Sequence, residues 1–252
     1  MTADETLESR RTIAVLPLGA TEQHGPHLPF ATDSIIAAGV ARRAADLLGG
    51  TLDVTFLPVE EVGYSIEHID TPGTRTLAFD EAVRRWTGIG EECFSRGIRR
   101  FVMLNAHGGN SPLMTIVATE LRVRLPMLAV ATSWTRFGYP EQLVTAREKA
   151  LGIHGGFIET SVMLALRPDL VDMAKAEDFP SAQARFEEDF THLRAYGPHA
   201  FGWKMRDLSP EGVVGDAASA TAQAGEAILD HAAAGFVALL HDVARFDLSI
   251  LR

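Results

Sequence analysis

Short, almost continuous apolar runs alternate with longer segments in which apolar residues recur at helical spacing. Residues 12–18 form the first apolar run and end on Gly19. Asp33-Ser34 then opens a helical pattern over 35–48 that stops at Gly49-Gly50. The same reading predicts strands over 52–59, 100–104 and 127–132. It predicts helices over 79–95, with Gly97 as the stop, and over 112–123, 141–150 and 156–166, the last halted by Arg167-Pro168. An Ala-rich stretch over 217–246 holds one long helix or two. Strands without polar alternation must be covered on both faces, so the pattern predicts an α/β fold around a parallel sheet. With no linker, repeat or low-complexity tract, all 252 residues read as one domain.

This layout gives meaning to the polar residues that follow the strands. Glu22, His24 and Asp33 lie within twelve positions on the first strand-to-helix connection. Residues two apart in an extended segment point the same way, so Glu22 and His24 share a side and Asp33 can swing back as a bridge. His107 follows the strand over 100–104 in Asn105-Ala-His-Gly-Gly-Asn110, where Gly108 and Gly109 let backbone approach a ligand. Glu159, among Phe157, Ile158, Val162 and Met163, is a carboxylate on an apolar helix and needs a cationic partner. It is counted both as a metal ligand and, with His154, among the catalytic groups. His154 precedes that helix at a Gly-Gly turn, where it can serve as base or proton shuttle. Glu67 and His68 on a turn-rich loop, and Trp134 at a strand end, are candidate substrate contacts. Open α/β sheets bind ligands at the carboxyl ends of their strands, which is where Glu22, His24, His107 and Trp134 fall. Carboxylates with a few imidazoles and no thiolate suit two divalent ions, zinc first, with manganese and iron also accepted by such donors.

Composition removes other classes. A net charge of −10 with dispersed arginines argues against nucleic acid. The apolar runs read as too short and interrupted to span a membrane, and residues 1–8 have no export-signal pattern, so the cytoplasm is expected. Cys93 is the only cysteine and reads as a small buried hydrophobe. No Gly-x-Gly-x-x-Gly, Walker loop or Gly-x-Ser-x-Gly elbow is present, which leaves nucleotide cofactors and serine hydrolysis unsupported.

Taken together, Gly19-Ala-Thr-Glu22-Gln-His24-Gly with Asp33, Asn-Ala-His107-Gly-Gly-Asn, His154 with Glu159-Thr-Ser, Ser65-Ile-Glu67-His68 with Pro72-Gly-Thr, and Gly212-Val-Val-Gly-Asp216 resemble the creatininase (creatinine amidohydrolase) family. The resemblance runs from about Leu16 to Gly225. It implies a three-layer αβα enzyme, usually a homohexamer, with a binuclear zinc or manganese centre that hydrolyses amide-type C–N bonds of small or cyclic amides. It also implies that Glu22, His24, Asp33 and His107 are ligands, Asp33 the bridge, and His154 the catalytic histidine. Creatininase proper carries a ligating Glu where this chain has Gly109, and Glu159 is the carboxylate expected to compensate. That departure points to a sister branch, such as peptidases that trim the mycofactocin precursor; a metal-binding scaffold without turnover is the remaining alternative.

Overall fold

The chain's fold is a computed structural model that describes residues 11–251; the segment 1–8 read for export signals lies outside the described residues. β1 (Ile13–Leu18) is buried at every position. The chain continues through α1 (Thr32–Leu48), β2 (Val54–Phe56), α2 (Phe79–Ser95), β3 (Arg100–Asn105), α3 (Ser111–Arg124), β4 (Leu128–Ser133), α4 (Ala146–Leu151) and α5 (Phe157–Leu166). Then come β5 (Asp178–Phe179), α6 (Gln183–Asp189), α7 (Met205–Leu208), β6 (Gly215–Asp216) and α8 (Ala222–Arg245).

Four parallel strands form the central sheet in the order β2-β1-β3-β4, with Ile13 opposite both Val54 and Arg100, and Arg100 opposite Leu128. Side chains alternate across this sheet, so each strand feeds two cores. Ile13, Val15, Val102 and Leu104 pack under α1, α5 and α8 against Ile36, Val40, Val162 and Phe236. Ala14, Leu16, Phe101 and Met103 face α2 and α3, meeting Trp86, Met114, Val117 and Leu121. The result is the three-layer αβα arrangement. Because β2 and β3 flank β1, the connections leaving β1 and β3 diverge and open a crevice between their carboxyl ends.

Two predicted elements differ from those observed. The strand over 52–59 shrinks to Val54–Phe56, since Pro58 has no N–H for the ladder. The helix over 141–150 starts later, at Ala146, because Thr145 caps it by accepting the Glu148 N–H at 3.0 Å. The C-terminal stretch is one helix, α8, capped by Thr221. By length and composition alone α8 could cross a bilayer, which corrects the reading that every apolar run is too short. Its apolarity has a packing explanation: Ile228, Leu229, Ala232, Phe236 and Leu240 are buried in the core with α1 and α5. At its start the backbones nearly touch, for a Cβ on Gly225 would lie 1.9 Å from the Ser161 carbonyl oxygen of α5.

Candidate metal centre

Beyond β1 the chain turns through Glu22 and His24, both fully buried, while Asp33 enters the same space from the first turn of α1. His107 arrives from the end of β3. Its loop is held by two asparagines: Asn110 donates to the Gly19 carbonyl and to Asn105 Oδ1, and Asn105 Oδ1 also accepts the His107 N–H. His154 and Glu159 come from the turn before α5 and from its first turn, where Glu159 accepts the Gly155 N–H at 2.7 Å.

These residues form two groups that share Asp33. Asp33 Oδ2 lies 3.4 Å from His107 Nδ1, which is 3.2 Å from Glu22 Oε1. Asp33 Oδ1 lies 3.3 Å from His24 Nε2, which is 3.8 Å from Glu159 Oε2. Donor atoms at about 2.1 Å from a tetrahedral ion are roughly 3.4 Å apart, so both spacings suit a cation. The hydrogen-bond account agrees. Both Glu22 oxygens, Asp33 Oδ2 and His24 Nε2 are buried without a hydrogen-bond partner, a costly state that divalent ions would relieve. The outward nitrogens behave as ligand imidazoles require: His24 Nδ1 lies 3.1 Å from the Glu22 carbonyl, and His107 Nε2 2.9 Å from that of Tyr64. The donor set therefore fits the metals its chemistry suggests.

Charge is balanced within the cluster. Burial works against the charged form of His24, but Asp33, Glu159 and Glu22 outweigh it and raise its pKa to about 9. His107 is raised well above its usual value in the same way, burial being outweighed by Glu22, Asp33 and Glu67. Burial and neighbouring carboxylates push Glu159 up to about 7 despite the opposing His24. His154 moves the other way, lowered by burial and by His24 and His68. Proton and cation compete for the same lone pairs.

His154 stands between His24 and His68, its ring centroid 4.2 Å from that of the first and 4.5 Å from that of the second. Its Nε2 lies 2.8 Å from the Gln23 carbonyl, and its Nδ1 faces Glu22 Oε1 at 3.6 Å. A cleft of about 340 Å³ opens over Glu22, Glu67, His68, His107 and His154, floored by Gly108 and Gly109. Pro112, Ile153, Tyr196, Trp203 and Met205 complete its wall. Trp134 does not line this cleft. It is 2% exposed and borders a neighbouring cavity that reaches Glu159 and Tyr139.

Glu159 does not occupy the space left by Gly109; it serves the His24 side. A Cβ at Gly109 would come within 2.5 Å of Glu67 Oε1, His107 Nε2 and the Tyr64 carbonyl oxygen, so Glu67 fills the room a side chain there would need. Sequence reading also missed His27 and Glu148. His27 Nε2 sits 3.0 Å from the Gly155 carbonyl and 2.9 Å from Thr160 Oγ1, tying the Glu22 loop to α5. Glu148, 5% exposed, accepts the N–H groups of Phe157 and Asp216, though its Thr145-x-x-Glu148 spacing signals only a helix start.

The family profile described as creatinine amidohydrolase matches residues 1–240. The chain is 31% identical over 224 residues to the mycofactocin precursor peptide peptidase of Mycolicibacterium smegmatis, covering 88% of this chain and 81% of that one. It is 32% identical over 186 residues to the creatinine amidohydrolase of Pseudomonas putida, covering 68% and 70%. A solved structure of creatininase with manganese superposes with a TM-score of 0.74 at 26% identity, covering 96% of each chain.

Proposed function

This chain belongs to the creatininase (creatinine amidohydrolase) family, and from that premise we propose that it hydrolyses the C–N bond of a small, uncharged amide at a binuclear metal centre. The observation that carries the reading is Asp33, whose two oxygens each face a different histidine among buried atoms lacking hydrogen-bond partners. Glu22, Asp33 and His107 would hold one ion, and His24, Asp33 and Glu159 the other. Divalent ions so held supply Lewis acidity toward a carbonyl oxygen and make water nucleophilic at neutral pH. Zinc is the proposed ion, and manganese or iron meets the same donors.

The chain's own groups do the rest. His154, with Nε2 committed to the Gln23 carbonyl, offers Nδ1 to take up a proton and pass it to the departing nitrogen, which is too poor a leaving group as an anion. Tyr196, Trp203 and Met205 seat the apolar part of the substrate. Among the described residues lining the cleft none is Lys or Arg, so no basic side chain there selects an anionic substrate, and we take a neutral amide as the substrate class.

A second reading, cleavage of a precursor peptide, is favoured by the likeness to the M. smegmatis peptidase over most of both chains. A homohexamer is the proposed assembly, on the family resemblance. The test is a panel of creatinine, cyclic imides, hydantoins, formamides and a peptide ending in Val-Tyr, before and after chelation. Turnover of a small amide, lost on chelation and restored by Zn²⁺ or Mn²⁺, is expected. Cleavage of the peptide alone would favour the second reading, and turnover that survives complete metal removal would contradict both.

A further inference from the structure

Four imidazoles meet at the centre, and their hydrogen bonds divide them three to one. The outward nitrogens of His24, His107 and His154 lie against the backbone carbonyls of Glu22, Tyr64 and Gln23. A carbonyl only accepts, so these nitrogens carry the proton and the inward ones hold lone pairs when the rings are neutral. His68 is wired in reverse. Its outward Nδ1 lies 3.1 Å from Gln23 Nε2. The Gln23 amide cannot turn over to offer its oxygen instead, because Oε1 accepts the Gly25 N–H at 2.8 Å and Nε2 also donates to the Gly212 carbonyl. His68 Nδ1 is therefore an acceptor, and the proton of the neutral ring sits on Nε2, which looks into the cleft 3.4 Å from Glu22 Oε1.

We infer that His68 is the hydrogen-bond donor of this site and donates from Nε2–H to the acyl oxygen of the bound amide. The step rests on the hydrolase reading above. An amide nitrogen has its lone pair delocalised into the carbonyl, so the acyl oxygen is the acceptor a neutral amide presents. That oxygen gains charge as water adds, and a donor already aimed at it binds the transition state better than the ground state. Gln23 is the positioning residue, since its amide decides which nitrogen of His68 bears the proton. A metal-ligand role for His68 would need a bare Nε2, the opposite tautomer.

Long-range ¹H–¹⁵N correlation spectra of the ¹⁵N-histidine-labelled, Zn²⁺-loaded protein report the tautomer directly, and without any turnover. His68, assigned by its absence in His68→Gln, is expected as the Nε2–H tautomer. Gln23→Glu, which places an acceptor beside Nδ1, is expected to move the proton there. Gln reproduces an Nε2 donor and Asn an Nδ1 group. With the panel amide that wild type hydrolyses fastest, His68→Asn should therefore lose about 10²–10³-fold in kcat, and His68→Gln should recover at least tenfold of that, both keeping wild-type zinc content. A Zn²⁺-loaded protein with His68 protonated at Nδ1 would overturn the inference, as would zinc loss in His68→Asn or equal kinetics for the two variants. A protein that hydrolyses no amide yet shows the Nε2–H tautomer would count against the hydrolase reading and leave the wiring of His68 standing.

Discussion

Glu148→Gln separates a charged anchor from a merely filled space beneath the turn that carries His154. Glu148 Oε1 accepts the Phe157 N–H at 2.7 Å and Oε2 the Asp216 N–H at 3.0 Å, joining the start of α5 to β6. Three glycines make room for it, because Cβ atoms at Gly152, Gly156 and Gly215 would lie 2.1, 2.3 and 2.7 Å from Oε1. Glutamine keeps the shape but has one acceptor oxygen, so its NH₂ must face a backbone N–H. A hydrogen bond to a charged group is worth about 1.5–3 kcal/mol, and loss of the anion at the start of α5 adds about 0.3–1 kcal/mol. Burial opposes this by pushing the Glu148 pKa up, so neutralisation returns part of the cost. The net expectation is a loss of about 2 kcal/mol, and at roughly 2–4 °C per kcal/mol for a chain of this size the midpoint falls by about 4–8 °C. Calorimetry at pH 7.5 measures it, and Zn²⁺ titration should show weaker binding, since His154 and Glu159 flank this turn. A midpoint unchanged or raised would show that Glu148 is not acting as a charged cap.

Other consequences follow from the same geometry. His24, raised to about 9, and Glu159, raised to about 7, hold protons near neutral pH that a cation must displace, so Zn²⁺ binding should release protons and weaken as pH falls from 8 to 6. Calorimetric titration in buffers of different ionisation enthalpy checks this, and proton-neutral binding would refute it. Asp33→Asn should lower metal content and activity together, whereas His154→Ala should keep its metal while kcat falls by roughly 10²–10⁴-fold; elemental analysis beside kinetics distinguishes the two roles. Gly225→Ala sets a helix-propensity gain of about 1 kcal/mol against an overpacking cost of about 1–3 kcal/mol where a Cβ meets α5 backbone. A net destabilisation by thermal melting is expected, and stabilisation would show that the helices can part freely.

The α/β alternation, and with it the convergence of Glu22, His24, Asp33 and His107, was legible because these residues follow adjacent parallel strands or open the helix next to them. Local punctuation marked those positions. Groups that work through distant partners were not. Gln23 acts on His68 and Gly212, 45 and 189 residues away, and no local spacing announces either contact. Glu148 reads locally as a helix-start residue, while its carboxylate serves Asp216 in another element. Tyr196 and Trp203 reach the cleft wall from a stretch without helical or strand periodicity. Glu159 was read from the family resemblance as the carboxylate that makes up for Gly109, and it does stand beside His24 and Asp33; the space next to Gly109 itself holds Glu67, from a loop whose path depends on Asn110 accepting the Tyr64 N–H at 2.9 Å.

Anomalous diffraction at the zinc edge from crystals of the Zn²⁺-loaded protein tests the central claim most directly. Two peaks are predicted, one among Glu22, Asp33 and His107 and one among His24, Asp33 and Glu159, with the Asp33 carboxylate touching both. A single peak that leaves Asp33 on one ion only, or no peak in this cluster at full zinc loading, would contradict the account.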